Sequence, residues 1–178
     1  MKQEDLRSII YGGKVFLPKT IEGVQEIVKK EKRIDIVKGE IILSLEKLDK
    51  ILEIDEEKKE AYVEAGVILK ELKEELGKRK LEFPVDYDET KTIGEILATN
   101  VLANRGFRYG RAGDWVKELY IIDADGQLIK VNRTDFTDFI GMEGTTGVIV
   151  KARLKLISRV KRTATLLKIK LEKLLFLK

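Results

Sequence analysis

Thr92-Ile93-Gly94-Glu95-Ile96-Leu97-Ala98-Thr99-Asn100, running on to Arg105-Gly106-Phe107-Arg108-Tyr109-Gly110-Arg111-Ala112-Gly113, is the stretch on which the reading of this chain turns. Ile93 to about Leu102 reads as a helical segment. It leads into glycines 106, 110 and 113, interleaved with Arg105, Arg108 and Arg111. Glycines let main-chain N–H groups turn toward an anion, and arginines add charge-assisted hydrogen bonds, so the chemistry suits a phosphate-bearing ligand. The same residues also make an ordinary basic surface loop. Their spacing matches neither a P-loop nor the GxGxxG turn of a dinucleotide fold.

Toward the C-terminus, Trp115 to Ile122 and Leu128 to Val131 flank Asp123-Ala124-Asp125-Gly126, a good hairpin turn. Thr134 is placed to cap a short helix carrying Phe136, Phe139 and Ile140. Gly141-Met142-Glu143-Gly144-Thr145-Thr146-Gly147 reads as a loop. Regular glycines before a strand permit a flat ligand to approach bare main chain, and they equally serve a tight turn. Val148 to Ile157 alternates as one long strand. Residues 158–178 set basic residues among leucines. An ordinary terminal element, a strand without its partner and an amphipathic helix all fit that pattern.

Toward the N-terminus, Phe83-Pro84 opens a loop through Asp86-Tyr87-Asp88-Glu89, which lacks the spacing of a calcium loop and reads as solvated. Ile68, Leu69, Leu72 and Leu76 recur at helical spacing, with Gly77 where a C-cap is expected. Ala61 to Ala65 alternates and stops at Gly66. Val15-Phe16-Leu17 is a short strand, and Thr20 caps a helix with Ile21, Val24, Ile27 and Val28 on one face. Strands at Ile34–Val37 and Ile41–Leu45 follow, separated only by Lys38-Gly39-Glu40. The expected class is α+β with two α/β lobes. Residues 1–60 form the smaller, residues 61–157 the larger with a mainly antiparallel sheet, and residues 158–178 a tail.

The totals narrow the function. At 178 residues, with 43% hydrophobic and 37% charged, the chain suits one globular domain or two small lobes. Cysteine and histidine are both absent, which excludes disulfides, Cys/His zinc sites, thiol nucleophiles and imidazole bases. The net charge of +4 comes from interleaved signs rather than a basic stripe, so nucleic acid is not an expected partner. No apolar run reaches the ~20 residues of a membrane span, and a cytoplasmic location is the default expectation. Carboxylates are abundant, yet none sits in the apolar context that marks a general acid. No metal site is expected.

Read in order, these segments resemble the FAD-binding (PCMH-type) domain of the vanillyl-alcohol-oxidase superfamily, on the branch of the glycolate oxidase FAD subunit and D-lactate dehydrogenase. The resemblance is carried by Phe16 to Val28, Ile42 to Asp55 and Val63-Glu64-Ala65-Gly66-Val67. Its most specific segments are Thr92-Ile93-Gly94, Ala98-Thr99-Asn100, Arg108-Tyr109-Gly110, Asp125-Gly126 and Glu143 to Ile149. It implies that Thr92, Gly94, Ala98, Thr99, Asn100, Tyr109 and Gly110 belong to the flavin pocket. It also implies that main chain at Gly147, Val148 and Ile149 holds the adenosine end, and that Pro84 matches the proline of the preceding loop.

Three departures bear on function. The family's glycine-rich loop around the FAD pyrophosphate has no counterpart in Lys38-Gly39-Glu40, as if some twenty residues were deleted. Glu95, Leu102 and Ala103 stand where the family has glycines near the ring. The family continues into a substrate cap with catalytic histidines, and this chain stops before one. The expectation is a divergent or truncated FAD-linked oxidoreductase domain. Completed by a cap or oxidoreductase subunit, it would oxidise 2-hydroxy acids such as glycolate or D-lactate. Arg105, Arg108 and Arg111 are candidates to replace the lost phosphate loop. The alternative is a flavin-free remnant or interaction module that kept the scaffold. Association into a homo-oligomer is left open.

Overall fold

A computed structural model describes residues 14–31, 41–102 and 104–159 of the chain. Five strands join into a single antiparallel sheet. They are β3 (Ile51–Asp55), β4 (Glu60–Glu64), β6 (Val116–Ile122), β7 (Leu128–Val131) and β8 (Val148–Lys155). Their order is β3-β4-β8-β6-β7. A parallel pair, β1 (Lys14–Phe16) with β2 (Ile41–Leu43), forms a second sheet in register Phe16 opposite Leu43. A third is the short antiparallel pair β5 (Leu81–Glu82) and β9 (Ile157–Ser158).

Successive side chains of a strand point to opposite faces, and a register shift between β6 and β8 at Tyr120/Ile121 turns Val150 away from Ala152 and Leu154, so the large sheet separates two cores. Ala61, Val63, Leu119, Ile121, Ala152 and Leu154 pack against α2 (Leu69–Lys78) and α3 (Ile93–Ala98) in one cluster. Leu69, Leu72 and Leu76 are fully buried there, each worth about 1.5–3 kcal/mol relative to exposure. Ile122 and Val150 belong instead to a smaller core with Leu48 and with Val24 and Val28 of α1 (Ile21–Lys30). The Thr20 hydroxyl caps α1 by accepting from Gly23 N at 3.1 Å. Gln25 of α1 reaches the β6–β7 turn, donating from Nε2 to the Gly126 carbonyl at 2.9 Å.

The joint between the cores is tight at Gly66. Its N–H donates to the Leu48 carbonyl at 2.7 Å. A Cβ there would lie 2.7 Å from Leu48 O and closer still to Leu45 O. Only glycine lets the end of β4 lie on the 45–48 turn without moving backbone.

Several elements differ from the sequence expectation, each for a local reason. The helix from Ile93 stops at Ala98, because Asn100 takes the left-handed conformation at φ +46°. Gly77 stays inside α2, and Lys80 (φ +55°) makes the left-handed turn instead. Thr134 does not cap a helix. It lies within a 3-10 turn, Arg133–Asp138, that starts after Asn132, and its hydroxyl bonds to Asp135. The expected strand from Val148 breaks at Leu156, and its last residues pair with β5. Gly106–Tyr109 is a short helix, α4, rather than loop. The edge strand β3 comes from within residues 1–60, the stretch assigned to the smaller lobe, and joins the large sheet. The expected strand Ile34–Val37, its Lys38-Gly39-Glu40 junction, Ala103 and residues 160–178 lie outside the described residues. Among the described residues no helix is long and apolar enough to cross a membrane.

Candidate functional site

Helix α3 is anchored at its first turn by protein acceptors alone. The Thr92 hydroxyl accepts from Glu95 N at 3.2 Å, Ile93 N donates to Val67 O at 2.8 Å, and Gly94 N donates to Ala65 O at 2.7 Å. These bonds press the helix onto the chain leaving β4. A Cβ on Gly94 would come within 2.9 Å of Ala65 Cβ and 3.0 Å of Ala65 O. The close approach therefore lies between two pieces of this chain.

The 141–147 loop is tied to the other end of α3. Gly141 N donates to Leu97 O at 3.1 Å and Glu143 N to Ala98 O at 2.9 Å. Glu143 itself sits at φ +52° and Gly144 at φ +81°. With β2 closing the third side, these elements surround a cavity of about 370 Å³. It is lined by Ile42, Leu43, Leu45, Thr92, Gly94, Glu95, Ala98, Glu143, Gly144, Gly147, Val148 and Ile149. Aliphatic side chains and bare glycine backbone make most of that wall. Such a surface receives a flat, largely apolar ring.

Of the residues singled out in the sequence, Thr92, Gly94, Ala98, Gly147, Val148 and Ile149 converge on this cavity. Thr99, Asn100, Tyr109, Gly110 and Pro84 lie outside its lining. Asn100 is a brace: its Oδ1 accepts from Gly113 N at 3.0 Å, and Gly141 closes against its Cβ. Pro84 is buried between Phe83 and Val85 of the main core. Ile42, Leu43 and Leu45 of β2 and the turn after it also join the wall, as do Glu143 and Gly144 from the glycine loop singled out in the sequence.

The arginine and glycine stretch does not face the cavity. Arg105 pairs with Glu82 and stacks over the Tyr109 ring at 4.9 Å, where Arg108 also sits at 5.2 Å. Trp115 Nε1 donates to the Tyr109 carbonyl at 2.6 Å, and its ring meets Tyr109 edge-on. Arg111 donates from its backbone to Asp114 at 2.7 Å and from Nη1 to the Asn100 carbonyl at 3.1 Å. These residues hold one another.

The charge of the wall is one-sided. Glu95 and Glu143 contribute two carboxylates, and among the described residues no lysine or arginine lines the cavity. Lys91 stands beside it, its Nζ 2.6 Å from Glu95 Oε1, and the carboxylate raises the lysine amine above its ordinary value. A flavin ring fits this donor set. For the diphosphate of FAD, the first-turn N–H groups of α3 are already bonded, whereas those of Gly144 and Gly147 in the facing loop have no acceptor among the described residues. Among the described residues no cluster of three or more acidic side chains is placed to hold a metal ion.

Residues 32–132 match the profile of a family described as "FAD binding domain". A D-2-hydroxyglutarate dehydrogenase of Xanthomonas citri is 34% identical over 129 residues, covering 66% of this chain and 27% of the relative. The glycolate oxidase subunit GlcD of Bacillus subtilis is 34% identical over 72% of this chain and 30% of its own length. A D-lactate dehydrogenase of Archaeoglobus fulgidus is 34% identical over 68% of this chain and 29% of its own length. The chain thus spans less than a third of these relatives. A solved alkyldihydroxyacetonephosphate synthase superposes with TM-score 0.70 at 21% identity, over 81% of this chain and 30% of that one. That likeness carries the mixed helix-and-sheet fold.

Proposed function

This chain belongs to the FAD-binding domain family of oxidoreductases, and from that premise we propose that it is the flavin-holding part of an enzyme acting on 2-hydroxy acids such as D-lactate or glycolate. The observation that carries the proposal is the convergence of Thr92, Gly94, Ala98 and Gly147–Ile149 on one apolar cavity closed by β2. Relatives named D-lactate dehydrogenase and glycolate oxidase subunit supply the substrate class.

A bound flavin supplies the electron acceptor in such chemistry. What this chain's residues do is narrower. Gly94 lets α3 lie close on Ala65 and Gly147 lets its loop lie close on Ile122, which sets the two walls in place; Ile42 and Leu43 exclude water from one side, and Thr92 keeps a hydroxyl proton to donate. With no histidine in the sequence, imidazole for accepting the substrate proton comes from elsewhere, in this proposal from a cap or oxidoreductase subunit.

The two lining carboxylates favour a second reading, a scaffold that has lost its flavin. Colour separates the two. The purified chain, dialysed against flavin and then washed by gel filtration, is expected to stay yellow. Chain that stays colourless at saturating flavin would leave the scaffold reading standing. Adding D-lactate or glycolate to the loaded chain alone is expected to leave the flavin oxidised, and bleaching would show that no further subunit is needed.

A further inference from the structure

Resting on that reading of the cavity, we infer that the apolar surface at the C-terminal end of α3, centred on Phe107, is the docking face for the substrate-binding polypeptide that supplies the imidazole.

A folding chain turns large apolar side chains inward, because removing them from water stabilises it. Around one end of α3 four of them stay outside. Phe107 is wholly exposed, and Leu102, Tyr87 and Met142 are each at least 40% exposed. The backbone gathers them. Leu102 lies with its side chain against Gly106, the first residue of α4, the helix that carries Phe107. Asn104 N donates to Asp86 O at 3.1 Å, which sets Tyr87 beside that turn. Met142 stands between Gly141 and Glu143, whose N–H groups are held by the Leu97 and Ala98 carbonyls at the end of α3. The other large apolar residues left exposed, Leu52, Leu128 and Ile129, lie on the sheet-edge strands β3 and β7. Single exposed apolar residues are ordinary on a surface, whereas a group of them rimmed by polar residues marks an interaction face.

Position and charge say what docks there. Ala98 and Glu143 border this face and also line the cavity, so its occupant stands next to the bound flavin. The chain has no histidine and spans less than a third of its relatives. More than two thirds of such an enzyme therefore has to rest on a part like this one. Arg108, stacked on Tyr109, and Arg111, bonded to the Asn100 carbonyl, are exposed and keep N–H groups for a partner's carboxylates. Asp88 and Glu143, in the segments that carry Tyr87 and Met142, are exposed as well. Mixed charges around an apolar centre suit the rim of a protein interface. An anionic bilayer would meet those carboxylates as like charges.

The sequence has no cysteine, so Phe107→Cys gives a single thiol for a benzophenone maleimide. Leu128→Cys on β7 gives a control thiol at the sheet edge. Irradiation in a lysate of the source organism is expected to join the Phe107→Cys chain, and not the Leu128→Cys chain, to a polypeptide matching the portion of the relatives beyond this chain. Once purified, that polypeptide is expected to bind the full chain and to let D-lactate or glycolate bleach its flavin. Phe107→Glu is expected to raise the Kd about thirtyfold or more, as for loss of a central aromatic anchor. Because the ring is wholly exposed, that variant is expected to keep the parent's urea midpoint and flavin uptake. No conjugate, equal conjugates from both thiols, no bleaching, or a Kd unmoved by Phe107→Glu would overturn the inference. So would conjugates between two copies of this chain alone, or pelleting with phosphatidylglycerol vesicles that Phe107→Glu abolishes. A parent chain that takes up no flavin yet forms the Phe107 conjugate would end the flavin reading and leave the docking face standing.

Discussion

Two glycine segments of this molecule look alike on paper and behave differently in space. Residues 105–113 carry glycines and three arginines, yet Arg105 pairs with Glu82, Arg111 bonds to Asp114 and Asn100, the Tyr109 carbonyl accepts from Trp115, Arg108 stacks on Tyr109, and none lines the cavity. Residues 141–147 carry glycines and no basic residue, yet they form a wall of it. Glycine content therefore does not identify the ligand side of a domain. What decides is where the neighbouring donors are already committed. By that measure the 105–113 segment is a buttress for α3, and the 141–147 loop is a surface on which something can lie.

The sharpest way to break that distinction is to push on the joints that shape the cavity. Gly66→Ala forces a Cβ against two carbonyl oxygens of the 45–48 turn, neither of which is a flexible side-chain tip. A loss of about 3 kcal/mol or more is expected, the upper range for overpacking, with flavin uptake abolished because β2 and α3 are no longer held apart correctly. Urea unfolding reads it as a drop in midpoint at unchanged slope. A variant as stable as the parent would mean that the joint is loose. Gly94→Ala is milder, since one of its close contacts is the Ala65 methyl and the other the Ala65 carbonyl at 3.0 Å. About 1–3 kcal/mol is expected, together with weaker flavin binding, because pushing α3 off Ala65 shifts Thr92 and Ala98 in the wall.

Asn100 tests the buttress from the other side. Asn100→Ala removes the acceptor for Gly113 N and puts alanine at φ +46°. About 1–2 kcal/mol is expected for an amide left unpaired in a partly buried site. Asn100→Gly keeps the conformation accessible and loses only the hydrogen bond, so it should cost less. If the two variants are equally destabilised, the left-handed conformation is not what Asn100 supplies.

Much of the scaffold was legible because its signals are local. Thr20 followed by Gly23 and an apolar stripe gives α1 with its cap, and alternation in β4, β6 and β8 gives the large antiparallel sheet. The resemblance gave Thr92, Gly94 and Ala98 to the flavin ring and Gly147–Ile149 to the adenosine end, whereas all six line one cavity. What stayed hidden depends on partners distant in sequence. Nothing near Arg105 announces that Glu82 will neutralise it, and nothing near Asn100 announces the Gly113 amide that holds it. Likewise Ile42, Leu43 and Leu45 become a cavity wall only when β2 is folded across from α3. Their own pattern says strand and no more.

The smallest effect is the one that isolates the buttress from the site. Arg108 is exposed and stacks on Tyr109 at 5.2 Å, a contact worth about 0.5–1 kcal/mol at such a position. Arg108→Ala should therefore shift the urea midpoint slightly and leave riboflavin, FMN and FAD affinities each within about twofold of the parent. If Arg108 instead reached round to a phosphate arm, its loss would weaken FMN and FAD while sparing riboflavin, and the effect would shrink in high salt as screening grows. The two outcomes differ in which ligand responds, so a modest loss of stability cannot be mistaken for a lost contact. Equal affinities would leave 105–113 as support for α3, and a phosphate-specific loss would return it to the binding site.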